Sequence, residues 1–327
     1  MGDMGMGILG GRKQQRHALV LKDHVIRYVG SKRADLSSIQ SFGELYLPPG
    51  LIHRGKIEDK EEVKRLIERE QDAWELKKKN PVQLCVPDSQ MLIRRHEVAA
   101  NVPDEELKGQ LYIDAGDSLV LPFEDPIFDY QKLREDEEKK ELLLYITKES
   151  VMNDYVKLID QLGFQANAAD LTSACAYRLF HEQHLLEEHP FTVLVQYDVS
   201  LVIITILAAG QPLFSRTWPL AYDEERWDIR DGQLEWKLDV ETVTAEIQMI
   251  SAEVEKVISF YQYSVLRGEM DIARMLICGD TIAMDLVVSE FKDFFSMNIV
   301  SQLEFTDSYV PARYYDALGL MLRKEVR

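Results

Sequence analysis

The sequence predicts an α/β protein of two lobes, each built on one unit of three meandering strands followed by helical elements. Three observations carry this. The chain has 327 residues, beyond the size at which a single hydrophobic core keeps growing, so two lobes are expected. β-rich runs come in a group of three near the start and in another group of three past the middle. Each group is followed by helix-period segments and a further strand, the pattern left by a duplicated unit.

In chain order, residues 17–21 and 24–29 are β-rich runs separated by Lys22-Asp23, and so short a polar gap reads as a tight hairpin. A third run, residues 39–47, ends at the breaker Pro48-Pro49-Gly50. Residues 58–79 read as one helix, with Val63, Leu66, Ile67, Trp74 and Leu76 apolar among charges. Residues 82–86 are a short strand. From Ser89 to Gly163 the order is strand (91–98), helix (104–115), strand (127–133), strand (142–147), helix (151–162). This self-contained unit holds the charged loop 134–141, and Gly163 supplies its helical stop. A strand (166–171) and a helix (172–183) return to the first lobe.

The second lobe opens with strands at 192–196, 199–207 and 212–218, and Tyr197-Asp198 mirrors Lys22-Asp23 as a tight step. A polar, acidic stretch (223–239) precedes the longest helix, 240–266, whose apolar residues recur at three- and four-residue steps. A strand (275–279), a helix (281–295), a strand (299–304) and a last helix (312–323) complete the chain. The expected organisation is a flexible tail (1–16), a first lobe (17–88, 164–190 and 305–327), an inserted subdomain (89–163) and a second lobe (191–304). The second lobe carries a reduced outer subdomain near 222–270. This is the order of the actin, hexokinase and sugar-kinase group, a ribonuclease H-like duplicated fold, here with an inserted strand-helix-strand-strand-helix subdomain.

Composition excludes several classes. The 56 acidic and 38 basic residues give a formal charge of −18, which repels nucleic-acid backbones and anionic lipid. The basic exception is Arg12, Lys13 and Arg16 behind a Gly/Met-rich opening, read as a tail able to touch anionic lipid. The longest apolar run, 201–209, is too short to cross a bilayer and suits a buried strand. The opening lacks the apolar stretch of a secretory signal, and Cys85, Cys175 and Cys278 are few and far apart. The expectation is a cytoplasmic protein without direct membrane insertion.

Several stretches carry a resemblance. Leu47-Pro48-Pro49-Gly50-Leu51-Ile52 with Gly55-Lys56-Ile57, and Val86-Pro87-Asp88-Ser89 running into Ile93-Arg94-Arg95-His96-Glu97-Val98, resemble the first lobe of PilM-type pilus-assembly proteins. Glu106-Leu107-Lys108, Leu121-Pro122-Phe123 and Phe128-Asp129-Tyr130 look like that family's inserted (1C-like) subdomain. Ala169-Asp170-Leu171 and the ending Ala317-Leu318-Gly319-Leu320-Met321-Leu322-Arg323 look like its return strand and last helix. The resemblance implies an actin-like fold related to the cell-division protein FtsA. It also implies a place at the cytoplasmic face of a type IV pilus or competence-pseudopilus machine. There such proteins grip the N-terminal cytoplasmic tail of a PilN-type single-span membrane protein and join it to motor components such as the pilus motor ATPase.

Relatives of this fold set nucleotide phosphates against a glycine-containing turn in each lobe, because glycine lets backbone N–H groups come close. Here the first turn, around Lys22 and Asp23, and the second, around Gln196 and Asp198, both lack glycine and are short. The adenosine-side pair of glycines is half kept, as Gly279-Asp280. No cofactor is therefore expected; the alternative is an active ATPase whose ATP and Mg2+ state regulates tail binding. Asp23 and Asp198 are read as turn residues, with a metal held between them as the other reading. A third reading, an FtsA-like filament protein, calls for an amphipathic segment after Arg323, where the sequence has four residues.

His181, His184 and His189 lack the four-residue step by which a helix aims two imidazoles at one zinc. No nucleophile elbow is present. The helix at 104–115 has few apolar anchors and is expected to be incompletely packed. The candidate partner site is accordingly Ile93, Arg94, Arg95, Glu106, Leu107, Leu111, Pro122 and Phe123, taking an apolar peptide between the inserted unit and the first-lobe body.

Overall fold

A computed structural model describes residues 15–186, 191–221, 225–306 and 309–324. The tail at 1–14, the helix end at His189 and the terminal residues 325–327 lie outside them.

The first sheet begins with β1 (Arg16–Leu21), β2 (Val25–Ser31) and β3 (Ile39–Tyr46), an antiparallel meander of β-branched and aliphatic residues. A small hairpin, β4 (Ile52–His53) and β5 (Lys56–Ile57), leads into α1 (Lys60–Glu70), whose start is capped by Asp59 accepting the Glu62 N–H. The helix expected to Lys79 stops at Glu70. The chain instead turns through Glu75 and Lys79, both at positive φ, and Trp74 stacks on Tyr28 at 5.5 Å, 3% exposed. Burying that indole on the sheet outweighs continuing a charged helix into solvent.

After β6 (Pro81–Cys85) comes a three-stranded sheet of β7 (Leu92–Ala99), β8 (Pro126–Glu135) and β9 (Lys139–Lys148) in the order β7-β9-β8, with α2 (Leu107–Asp114) packed on it. The charged loop expected at 134–141 is a tight hairpin. The Asp136 carboxylate accepts the N–H groups of Glu138 and Lys139, both at 2.9 Å, so β8 and β9 run almost to the turn. Next, α3 (Glu149–Gln161) ends at Gly163, whose φ of +81° is the left-handed stop glycine permits. β10 (Gln165–Asp170) then closes the first sheet in the order β10-β6-β1-β2-β3, and α4 (Thr172–Glu182) follows.

The second sheet repeats the plan. β11 (Phe191–Tyr197), β12 (Leu201–Ala208) and β13 (Gln211–Pro219) form the meander. The polar stretch holds a short hairpin, β14 (Trp227–Arg230) and β15 (Gln233–Trp236). Then come α5 (Val240–Phe260), continued by a wider turn at Tyr261–Val265, and β16 (Arg274–Cys278), α6 (Met284–Phe294) and β17 (Asn298–Ser301). The order is β13-β12-β11-β16-β17, the mirror of the first sheet in sequence logic. The helix expected to fill 312–323 is a 3₁₀ turn and a short α7 (Tyr315–Met321).

Helices cover both faces of each sheet, which is why the central strands are buried along their whole length rather than on alternate residues. α1 and α3 share a core with the outer face of the first sheet, and α5 and α6 with that of the second. Between the sheets lie α4 and α7, packed with Val20, Leu194, Leu207 and Leu276 into one core common to both lobes. The two helices meet without clearance: a Cβ at Gly319 would stand 1.9 Å from the Cys175 carbonyl.

Candidate functional site: interlobe cleft and adjoining groove

The first meander turns one residue later than the sequence reading placed it, and the second two residues later. Lys22 N–H donates to the Val25 carbonyl at 2.8 Å and Asp198 N–H to that of Leu201 at 2.9 Å. Asp23-His24 and Val199-Ser200 are thus the two-residue loops, and Lys22 and Asp198 occupy equivalent places in the two repeats. They meet. The Lys22 ammonium lies 2.8 Å from Asp198 Oδ2, 3.2 Å from Asp280 Oδ2 and 2.9 Å from Asp316 Oδ2, and it donates to the Tyr315 hydroxyl at 3.0 Å. Arg27, 1% exposed, reaches Asp280 at 2.6 Å, and His24 Nε2 stands 3.1 Å from the same carboxylate.

Burial works against Lys22's charge, but Asp198, Asp280 and Asp316 outweigh it and hold its pKa well above the ordinary value. Burial likewise works against the Asp280 carboxylate, and His24, Lys22 and Arg27 together hold it well below the usual range. For Asp198, burial and the neighbouring Asp280 win over Lys22, and its carboxyl is pushed up to about 8. At neutral pH the Lys22 and Arg27 cations therefore face a charged Asp280, with Asp198 holding a proton. A second polar chain crosses the same gap: Gln196 donates to Thr172 at 2.9 Å and to the Tyr315 hydroxyl at 3.2 Å, and Thr172 donates to Asp88 at 2.7 Å.

The remaining sequence candidates sit around this knot. Asp23 is committed locally, accepting the N–H groups of Arg54 at 2.7 Å and Gly55 at 2.9 Å. Gly279, at φ +148°, lies against the Tyr197 backbone and donates its N–H to Gln302 at 3.0 Å. A side chain there would strike the Tyr197 carbonyl, so the glycine serves contact between strand ends. Asp23 and Asp198 both border the cavity, but no group of three or more metal-ligating side chains forms among the described residues. The cavity left beside the cluster is about 40 Å³, room for a water or so, where ligand pockets run from about 300 Å³ upward. Trp227 narrows the cleft further: its indole N–H donates to the Leu47 carbonyl at 3.1 Å and its ring meets His24 at 5.9 Å.

A larger space, about 620 Å³, opens where the three-stranded sheet meets the first-lobe body. Ile127, Asp129 and Gln131 of β8, Tyr145 and Thr147 of β9, and Met91 and Met152 form one wall; Ala169, Asp170, Leu171 and Ala174 form another. β8 and β10 each leave one edge unpaired in their sheets. The third wall is the β12–β13 turn of the second lobe, Ala209 to Pro212.

None of the eight side chains singled out as a partner site lines this groove. Leu107 and Leu111 are 1% and 0% exposed, packed on Phe128, Leu142 and Leu144, while Ile113 stays 68% exposed, so α2 is seated through two of its three apolar anchors. Ile93 is buried as well, Arg95 pairs with Glu141 at 3.2 Å, and Arg94, Glu106 and Pro122 face solvent. Phe123 lies under the Lys148 ammonium at 5.6 Å. A readable signal did exist: in β8, Phe128 points to the sheet's core, so Ile127 is an apolar residue on the opposite face, without a core to enter.

The family described as "Type IV pilus assembly protein PilM" matches residues 23–223. A solved PilM-PilN type IV pilus biogenesis complex is similar with a TM-score of 0.65 at 13% identity, covering 95% of this chain and 98% of that one. The ethanolamine utilization protein EutJ from Carboxydothermus hydrogenoformans is similar at 0.55 and 10% identity, covering 94% and 89%. At such identities the likeness is one of fold, and that fold is two-lobed and actin-like. No curated protein sequence matches the chain.

Proposed function

The chain belongs to the PilM family of type IV pilus assembly proteins, and on that premise we propose that it is a scaffold that grips the cytoplasmic tail of a PilN-type membrane protein. The observation that carries the reading is the groove between β8 and the first-lobe sheet. It is a space of ligand size lined by apolar side chains and by residues of β8 and β10, strands that each leave one edge unpaired, the combination that suits an extended peptide. No described helix is long and apolar enough to cross a membrane, so attachment to the membrane through such a tail is the arrangement proposed.

Fluorescence anisotropy with a labelled synthetic peptide of the PilN-type tail from the same organism tests this. A small interface of this kind is expected to bind at micromolar strength, about −8 kcal/mol. Ile127→Asp is expected to weaken binding roughly thirtyfold, the loss of one central apolar anchor, with little change in melting temperature because Ile127 is only half-buried. Absence of any anisotropy change with wild type sinks the reading.

We further propose that the scaffold works without nucleotide, since its own ammonium and carboxylates occupy the cleft. A ligand at a hundred times its Kd adds about 2.7 kcal/mol to folding, so a melting curve decides the point. Millimolar Mg-ATP is expected to leave the curve unmoved. A clear rise that Asp198→Ala abolishes would favour the ATPase alternative.

A further inference from the structure

The groove assigned to the tail is bordered by both lobes, and this has a consequence for its regulation. Ala209, Gly210, Gln211 and Pro212 belong to the second lobe, whereas the other two walls belong to the first-lobe sheet and the three-stranded sheet. Few contacts hold that turn in place. The Tyr145 hydroxyl donates to the Pro212 carbonyl at 3.1 Å, and Gln211 reaches Gln131 and, at 3.5 Å, Tyr145. Gly210 lies against the Tyr177 ring of α4, with no room for a side chain. Any rotation of the second lobe moves this wall.

The Lys22 cluster bridges the lobes: in it Lys22 and Arg27 of the first sheet meet Asp198 and Asp280 of the second-lobe strand ends. The two places touch. Val86 lines the small cavity beside Lys22 and also the groove, and Thr172 and Leu171 are consecutive residues on the two.

We propose that the β12–β13 turn is part of the tail-binding surface, so that tail affinity is set by the interlobe closure that the Lys22 cluster maintains. This rests on the groove being the tail site. A tail touching both lobes binds the closed arrangement better than an opened one, and by linkage it must in turn favour closure. In this chain the buried ion cluster is the element that biases closure.

The experiment uses the full chain and the same labelled PilN-type tail peptide. Ala209 is exposed at φ +48°, a conformation that Asp tolerates, so Ala209→Asp alters the turn without disturbing a core; it is expected to weaken binding by roughly tenfold. Lys22→Met, which touches no groove residue, is expected to weaken binding by about three- to tenfold, within the range of ordinary coupling between sites. Should Lys22→Met fail to fold, Tyr315→Phe removes one hydroxyl from the cluster and replaces it in the comparison. Reciprocally, the peptide is expected to slow amide hydrogen exchange at residues 198–201 in wild type. If Ile127→Asp loses binding while Ala209→Asp and the cluster variant bind within twofold of wild type, the coupling is wrong and the tail site stands. If wild type does not bind the tail, both fall.

Discussion

Replacing Lys22 with methionine is expected to cost the folded chain about 3–5 kcal/mol, because it removes one partner from a buried, hydrogen-bonded ion cluster. The ammonium is the shared neighbour of Asp198, Asp280 and Asp316, and the last two side chains are wholly buried. Methionine keeps the stem's volume and deletes the charge, leaving Arg27 and His24 to answer Asp280, and leaving Asp316 without its direct ion pair though still in the field of Arg27. The effect carries a pH signature whose sign is fixed. Without the ammonium, the folded-state pKa of Asp198, already pushed up to about 8, rises further above its unfolded value. A carboxyl so raised contributes stability below its unfolded pKa and loses it as pH climbs through the folded one. The part of the penalty carried by Asp198 is therefore level between about pH 5 and 8, where both proteins hold its proton, and grows as pH climbs above 8, where only wild type ionises it. Urea titrations of both proteins at several pH values measure it. A penalty under 1 kcal/mol at pH 8, or one that grows on acidification, refutes the charge account.

Arg226→Met is expected to do comparable damage in the second lobe. Arg226, 1% exposed, binds Glu246 through both ends of its guanidinium, at 2.6 and 2.8 Å, and donates to the Val199 carbonyl at 2.7 Å and the Ala221 carbonyl at 3.0 Å. Removing it leaves the Glu246 carboxylate, 8% exposed, with the Tyr197 hydroxyl at 3.0 Å as its remaining hydrogen-bond partner. The cost of such an orphaned buried charge is about 3–5 kcal/mol. It also loosens the segment that carries Trp227 onto Leu47. A double-mutant cycle with Glu246→Leu separates pair from packing: the double variant is expected to recover much of the loss, since an apolar pair of similar volume needs no counter-charge. If the double variant loses the sum of the two singles, the pair is not the cause.

Local regularities made most of the architecture readable. Three-strand meanders announced themselves by β-rich runs and tight polar gaps, and α5 by its apolar step of three and four residues. Gly163 ended its helix for a reason internal to glycine. Errors came where a distant contact outweighed a local preference. Trp74 left its helix to stack on Tyr28, and Leu107 and Leu111 turned inward because β9 offers Leu142 and Leu144 beneath them. Two of that helix's three apolar residues thus find partners on the strand, and the third, Ile113, remains exposed.

The sequence by itself determined that there are two lobes of one repeated plan and that the turns at Lys22 and Asp198 lack the glycines that phosphate needs, since spacing and residue type decide both. Only the tertiary structure decided what fills the space instead. Lys22 and Asp198 are 176 residues apart, and Lys22 and Asp280 are 258 apart; no periodicity links positions so distant. They meet because the duplication sets equivalent turns face to face across α4 and α7, and at that closeness the low-dielectric interior makes an ammonium and its carboxylates partners. The groove was hidden for the same reason: its walls come from segments as far apart as Met91 and Pro212, and folding alone brings them to one place.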